Sequence, residues 1–460
     1  MPTKTKQDAQ TRTNLARFVE HAIQRLEEKD PELFAILQNE YLRQANSLVM
    51  VASSSLADPS ALICEAMPAM NVTAEGYPGA RFHAGCRHID EIENLAIERA
   101  KAVFGARYAN VQTMSATSAN EVVMFSVLKP GDVLLGMDLD AGGHLTHGSK
   151  ASISGQVFAS YGYGLTTDER IDMDQAWDLA RRHRPKLIIC GTTAYSRRIE
   201  WGPFREIADE VGAYLLADIT HIAGLVAAGL HPNPIDHAHF TTTCTHKQLY
   251  GGRGGLVMIG KDYDLPAPGS SMTLAEMVQK KVFPFFQGAP NQSAVASKAR
   301  GLAFVASPEF KRVAQRIIDL SHAIAEAFLA RGYRVIAGGT DNHIVVVDVL
   351  EKGITGVNAE KALEDCGIIV NKNRIPYDRK PPTVTSGIRL GTNGLAIREM
   401  KPSDMPECVE LIHEVLTAIE QVDDRTYRLD PARRADVQRR VQMIARRRPI
   451  TTYPAPNEWL

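Results

Sequence analysis

Two stretches, GAYLLADITHIAGLVAAG at residues 212–229 and TTTCTHKQLYGGRGG at residues 241–255, decide how this 460-residue chain folds. The first opens on an apolar run that ends at Asp218, and the second is a Thr-rich run that ends near Lys247 and a glycine-rich loop. Strands apolar on both faces must be covered on both faces, the pattern of a mostly parallel sheet between helices. Working outward, GDVLLGM (131–137), RPKLIICGT (184–192) and GGLVMIG (254–260) repeat that texture, separated by helical segments such as DEIENLAIERAKAVFG (90–105). The region from about 90 to 260 is therefore read as an α/β core.

Residues 1–50 are polar and then helical, with Phe18, Ile23, Leu26 and Leu33 punctuating a charged background, and are predicted to form an arm. The large domain is placed at 51–305. After it come a long amphipathic segment, 308–332, and the apolar runs YRVIAGG, HIVVVDVL, GIIVNKN and GIRLGT, predicted as a smaller α+β domain over 306–460. Its tail, 433–449, carries seven arginines. Val437, Val441 and Ile444 recur there at helical spacing, which favours a solvated amphipathic helix over a nucleic-acid arm.

Lys plus Arg at 52 against Asp plus Glu at 53 leaves no global field for nucleic acid or an anionic membrane. The six cysteines form no C-x-x-C pair, so they read as reduced thiols, and no metal is expected. The first eighteen residues lack an apolar signal core and no run approaches a membrane span, so a cytoplasmic protein is expected.

The chemistry gathers at expected strand ends. Lys247, beside a glycine-rich loop, can form a Schiff base. Asp218, at the carboxyl end of a parallel strand, points into the crevice where ligands bind. Buried there it needs a cation, which a protonated pyridine nitrogen supplies. In VQTMSATSANE (111–121), Ser115 and Thr117 lead into a helix whose N-terminus suits a phosphate. The glycines of AGGHLTHG (141–148) let His144 lie against a planar ring, and Arg389 in TSGIRLGT can clamp a carboxylate bidentately. Together these describe a pyridoxal-phosphate site for an amino acid.

The chain resembles the serine hydroxymethyltransferase family from about Leu48 to about Ile419. AEGYPGARFHAGC, YANVQ, GGHLTHGS, IADEVGAYLLAD, HIAGLVAAG, THKQLYGGRGG, GGTDNH and TSGIRLGT stand in the family's order. The resemblance implies a fold-type I pyridoxal-phosphate transferase, at least a homodimer and otherwise a tetramer, with active sites at the subunit interface. It implies transfer of a one-carbon unit between an amino acid and tetrahydrofolate. By that likeness Lys247, Glu75, Asp218, His144, His221 and Thr245 serve catalysis, Glu75 reaching in from the partner subunit. Ser115, Ala116, Thr117, Thr193, His246 and Gly288 join them around the cofactor. Ser53, Thr73, His83 and Arg389 contact the amino acid, and Leu139, Leu145 and Asn373 the folate.

The departures discriminate among substrates. Thr73 stands where the family has a tyrosine, Phe82 and His83 replace two more, and Phe285-Phe286 replaces a Gly-Gly pair. Loss of a ring beside the substrate leaves room for a quaternary Cα. The leading reading is cleavage of 2-methylserine to D-alanine with transfer to tetrahydrofolate. The alternatives are an ordinary serine hydroxymethyltransferase, a folate-independent α-methylserine aldolase, and a threonine-type transaldolase.

Overall fold

In a computed structural model, which describes residues 6–457, the apolar runs assemble into one seven-stranded sheet. Its strands are β1 (Tyr108–Asn110), β2 (Val133–Met137), β3 (Ala159–Tyr163), β4 (Leu187–Gly191), β5 (Tyr214–Asp218), β6 (Phe240–Cys244) and β7 (Gly255–Ile259). The spatial order is β1-β7-β6-β5-β4-β2-β3. Neighbours are parallel except around β7, which runs antiparallel to β6 and β1. The reversal has a simple cause: only Thr245–Gly254 joins β6 to β7, too short a link for a parallel crossover.

Alternate residues of each central strand feed opposite cores. Leu187, Ile189, Leu216, Val257 and Ile259 pack with Val122, Val123 and Met124 of the helix Ala116–Val127. Ile188, Cys190, Leu215, Ala217 and Met258 join the other core, with Phe204 and Ile207 of Trp201–Val211 and Ala96 and Ala100 of Arg87–Phe104. Each such Val, Leu, Ile, Phe or Met side chain contributes roughly 1.5–3 kcal/mol on burial, and burial on both faces leaves little freedom of register. Parallel strands of a doubly covered sheet end at one edge, so Met137, Gly191, Asp218 and Cys244 deliver their loops to the same crevice.

A second, antiparallel sheet follows, of strands β8 (Ile344–Asp348), β9 (Asn371–Asn373) and β10 (Gly387–Gly391), in the order β8-β10-β9. The helices Pro308–Ala330 and Met405–Ala418 pack against each other beside it, the first capped by Ser307, whose hydroxyl accepts from the Phe310 N–H. YRVIAGG does not form a strand: only Val335 bridges to Val347 before the backbone turns through Ala337. GIIVNKN divides, because Ile368–Ile369 pairs in parallel with Leu48–Val49 while Asn371–Asn373 joins Arg389 in the sheet.

The N-terminal segment forms the helices Lys6–Lys29 and Pro31–Asn46, on which Phe18, Ile23 and Leu33 are exposed. The tail forms the helix Pro431–Arg447, with Val437, Val441 and Ile444 buried and arginines paired to Glu407 and Glu414. Residues 1–5 and 458–460, the extremes of the expected arm and tail, lie outside the described residues. Among the described residues no helix is long and apolar enough to cross a membrane.

Arg398 ties these ends together. Its buried guanidinium donates to the carbonyls of Gln44, Ala45 and Ser47 at 2.7, 2.9 and 3.1 Å and to those of Ala445 and Arg448 at 3.4 and 2.8 Å. A lone buried cation is tolerated because backbone oxygens surround it. Arg398→Met is expected to leave those carbonyls unpaired and destabilise the fold by about 3 kcal/mol, read as a lower urea midpoint; an unchanged midpoint would refute this role.

Candidate active site

Asp218 ends β5 and is buried, where a carboxylate survives only with partners. Oδ2 accepts from Asn120 Nδ2 at 2.8 Å and from His147 Nε2 at 3.1 Å, and Oδ1 accepts from the Thr220 N–H at 3.0 Å. Burial pushes its pKa up, but the hydrogen bonds donated by His147 and Thr220 oppose it and hold the carboxyl below the usual carboxylate range. The tautomer is fixed by geometry: His147 Nδ1 accepts the His144 N–H at 3.3 Å, so its proton sits on Nε2, aimed at Asp218.

A second tier orients those partners. Thr242, beside Asp218 in the register of β6, donates to Asn120 Oδ1 at 2.6 Å. Asn120 also donates to Thr146 Oγ1 at 2.9 Å, and the Thr146 hydroxyl and N–H meet His144 Nδ1 at 2.7 and 3.2 Å. His144 is thereby held with Nδ1 as acceptor, and burial brings its pKa down to about 4. His144, His147 and Asp218 have the composition of a metal site. The His147 proton, however, already occupies the line to the carboxylate.

Lys247 follows β6, and its Nζ lies 3.0 Å from His221 Nε2. Burial lowers its pKa, with Arg389 and Arg253 adding repulsion against the opposing pull of Cys244 and Asp218. The amine is thus nearer its neutral, nucleophilic form than an ordinary lysine. His221 is pushed well down by burial and by the charges of Lys247 and Arg389, and its ring stacks at 5.7 Å on that of buried His343. His343 bonds the Ala52 carbonyl at 3.2 Å.

Arg389 sits on the central strand of the small sheet and crosses to the large domain, donating to the Thr193 carbonyl, while its Nε donates to Asn371 Oδ1 at 3.1 Å. The Thr193 hydroxyl donates to the Gly143 carbonyl at 2.9 Å, fastening the loop after β4 to the one carrying His144. Ser115 caps Ala116–Val127 through reciprocal bonds with Ser118, at 3.0 and 2.9 Å. The first-turn N–H groups of Ala116 and Thr117 carry no hydrogen bond among the described residues. The Thr245 hydroxyl donates to the Gly252 carbonyl at 2.6 Å, shaping the loop after Lys247. His246 approaches Arg253 at 3.3 Å and lines an open cavity of about 480 Å³ with Ser53. Leu139 and Leu145 are exposed; Asn373 is half-buried.

One group of expected site residues lies apart. Glu75 meets His83 Nε2 at 3.3 Å, and Gly288 borders its other oxygen. Thr73, Phe82 and His83 are exposed on the same segment. No contact joins Glu75 to Lys247, Asp218 or Arg389 among the described residues. Sequence reading missed Asn120, His147 and His343. His147 lies three residues after His144 within a motif already marked, but its partner is distant in the chain.

The core residues fit pyridoxal phosphate. A desolvated amine suits the aldehyde, a buried anion the ring nitrogen, and free helix N-terminal amides the phosphate. His221 Nδ1 and Thr220 Oγ1 are buried without a hydrogen-bond partner among the described residues, as expected of groups facing a polar ligand.

Three histidines set an acid limit. His144 and His246 are brought down to about 4 and His343 to about 3, all by burial first. The unfolded chain binds these protons near pH 6.5, so stability present above that value is lost as pH falls towards 4. Thermal unfolding at stepped pH should show the melting temperature dropping across this window; a flat profile from pH 7 to 4 would contradict it.

A family model described as serine hydroxymethyltransferase matches residues 26–412. That family comprises oligomeric, fold-type I pyridoxal-phosphate enzymes that transfer hydroxymethyl groups with tetrahydrofolate as co-substrate. With a match over most of its length and a crevice suited to that cofactor, the chain belongs to the serine hydroxymethyltransferase family.

Proposed function

We propose that this hydroxymethyltransferase acts on 2-methylserine, releasing D-alanine and passing the one-carbon unit to tetrahydrofolate. The observation that carries the reading is Thr73, exposed two residues before Glu75 where the family places a tyrosine. An aromatic ring removed at that point leaves space for one methyl group on Cα.

Beside Glu75, whose carbonyl accepts the Phe82 N–H at 3.1 Å, the Phe82 ring is 71% exposed. The reading assigns this face to a twofold partner, so that Glu75 enters the partner's crevice. Asn373, Leu139 and Leu145 lie on the folate side in the same reading.

The residues divide the work as follows. Arg389, half-buried between the two domains, holds the substrate carboxylate as a planar fork. Lys247, its pKa lowered by burial, would hold the cofactor's aldehyde through its amine. Glu75 accepts the proton of the substrate hydroxyl; the Cα–Cβ bond breaks, formaldehyde leaves, and its electron pair stays on Cα. Pyridoxal phosphate, when bound, supplies the electron sink for that pair, and Asp218 is the anion that keeps the ring nitrogen protonated. A proton returned to Cα completes alanine. His83, 3.3 Å from Glu75, is placed to hold the carboxylate between proton transfers.

Lys247→Ala is expected to abolish covalent retention of the cofactor after borohydride reduction, read by intact mass; retention in that variant would exclude this lysine. The substrate assignment is tested with D-alanine and, separately, glycine, each with formaldehyde and with or without tetrahydrofolate. Folate-dependent formation of 2-methylserine from D-alanine is expected. Activity confined to glycine and serine would make this an ordinary serine enzyme, and indifference to folate an aldolase or transaldolase. Thr73→Tyr should depress turnover of 2-methylserine by at least about tenfold more than that of serine, the order of a steric clash with one methyl group.

A further inference from the structure

The hairpin that carries Glu75 is held from below by a buried ionic network that none of the chemistry above uses. Arg81 sits on its returning strand, Ala80–Arg81, with its side chain only 4% exposed. One nitrogen, Nη1, donates to the carbonyls of Ala74 at 2.9 Å and Gly76 at 2.8 Å, the residues on either side of Glu75. Nε bonds Asp90 at 2.8 Å and Nη2 bonds Glu93 at 2.6 Å, the latter carboxylate 1% exposed. Asp90 also accepts the Gly79 N–H at 2.9 Å, so the turn itself is anchored to the same helix.

Gln112 closes the network. Its Nε2 donates to the Gly76 carbonyl at 3.0 Å and to Glu93 Oε1 at 2.7 Å, and Gln292 donates to the other Glu93 oxygen at 3.1 Å. Gly76 adopts φ +89°, and a Cβ there would stand 2.4 Å from the Ala80 carbonyl, so the bend itself requires glycine. The Ala74 carbonyl fixes the peptide plane before Glu75, the Glu75 carbonyl, which accepts the Phe82 N–H at 3.1 Å, fixes the plane after it, and the Gly76 carbonyl fixes the next, so the direction of the Glu75 Cα–Cβ bond is set. The half-buried carboxylate thus stands on a rigid base.

We propose that Arg81, locked by Glu93 and Asp90, is a positioning residue that aims Glu75 into the partner subunit's site. The inference rests on the proposed role of Glu75. Lysine keeps the charge but cannot reproduce a planar fork that reaches two carbonyls and two carboxylates at once.

Arg81→Lys, purified with cofactor, is expected to lose kcat on the order of 10²-fold, the effect of a displaced catalytic group. The amino-acid KM, cofactor content and near-visible spectrum should be unchanged, since Lys247, Asp218 and Arg389 are untouched. In a Glu75→Gln background the same substitution should cost nothing further, because its effect passes through the carboxylate. Mixed dimers separate this from a general structural role. Combined with Lys247→Ala, Arg81→Lys should regain up to about a quarter of wild-type activity, since statistical mixing of twofold dimers gives one competent site per heterodimer.

Absence of recovery, or full additivity with Glu75→Gln, would overturn the positioning role. Wild-type turnover by Glu75→Gln itself would instead remove Glu75 from the reaction, a distinct failure. Should Arg81→Lys fail to assemble, Gln112→Met, which deletes the second donor to Gly76, carries the same test with a smaller expected loss.

Discussion

A carboxylate buried at a strand end is the constraint around which the large domain is organised. Asp218 can remain ionised there only because His147, Asn120 and the Thr220 N–H converge on it at 2.8–3.1 Å. Those partners come from a loop after β2, the first turns of the helix Ala116–Val127, and the chain just beyond β5, so holding one anion determines how three connections are placed. A charge of this kind adds little to stability and much to specificity of arrangement. Its cost in an apolar interior is offset when a cationic ring nitrogen arrives, which links cofactor binding to the electrostatics of the fold.

The crevice keeps its charges in unusual states by removing water. Lys247 is drawn towards neutrality, His144 and His221 are held uncharged, and the Arg389 guanidinium is brought down to about 10, all with burial as the leading cause. Removal of water strengthens the attraction of Arg389 for a carboxylate. Arg389 adds a mechanical element. It belongs to the small sheet yet bonds the Thr193 carbonyl of the large domain, so the carboxylate clamp spans the boundary between the two.

Glu75 follows different physics. It lies on a hairpin whose backbone, rather than its carboxylate, is held by a buried network, with the exposed Phe82 ring beside it. Fixing a backbone while leaving the carboxylate only a contact with His83 at 3.3 Å is what a group acting on another surface requires. Asp218 shows the opposite arrangement, with every reachable oxygen occupied from within its own chain.

Much of this was legible in the amino-acid sequence. Apolar runs buried on both faces specified a doubly covered parallel sheet, because nothing else satisfies such strands. Asp218, Lys247 and Arg389 were recognisable because each is a charged residue beside a strand or glycine loop, where charge is costly without a ligand. Local pattern could not show the antiparallel course of β7, the pairing of Leu48–Val49 with Ile368–Ile369, or the failure of YRVIAGG to form a strand. Each depends on connection length or on partners hundreds of residues away. The same limit hid His147 and Asn120, which are ordinary polar residues until folding brings them 71 and 98 positions along the chain to Asp218. Residue type and period are local and survive in the sequence. Which buried polar groups meet is a property of three-dimensional closure, decided only when the sheet and its loops assemble.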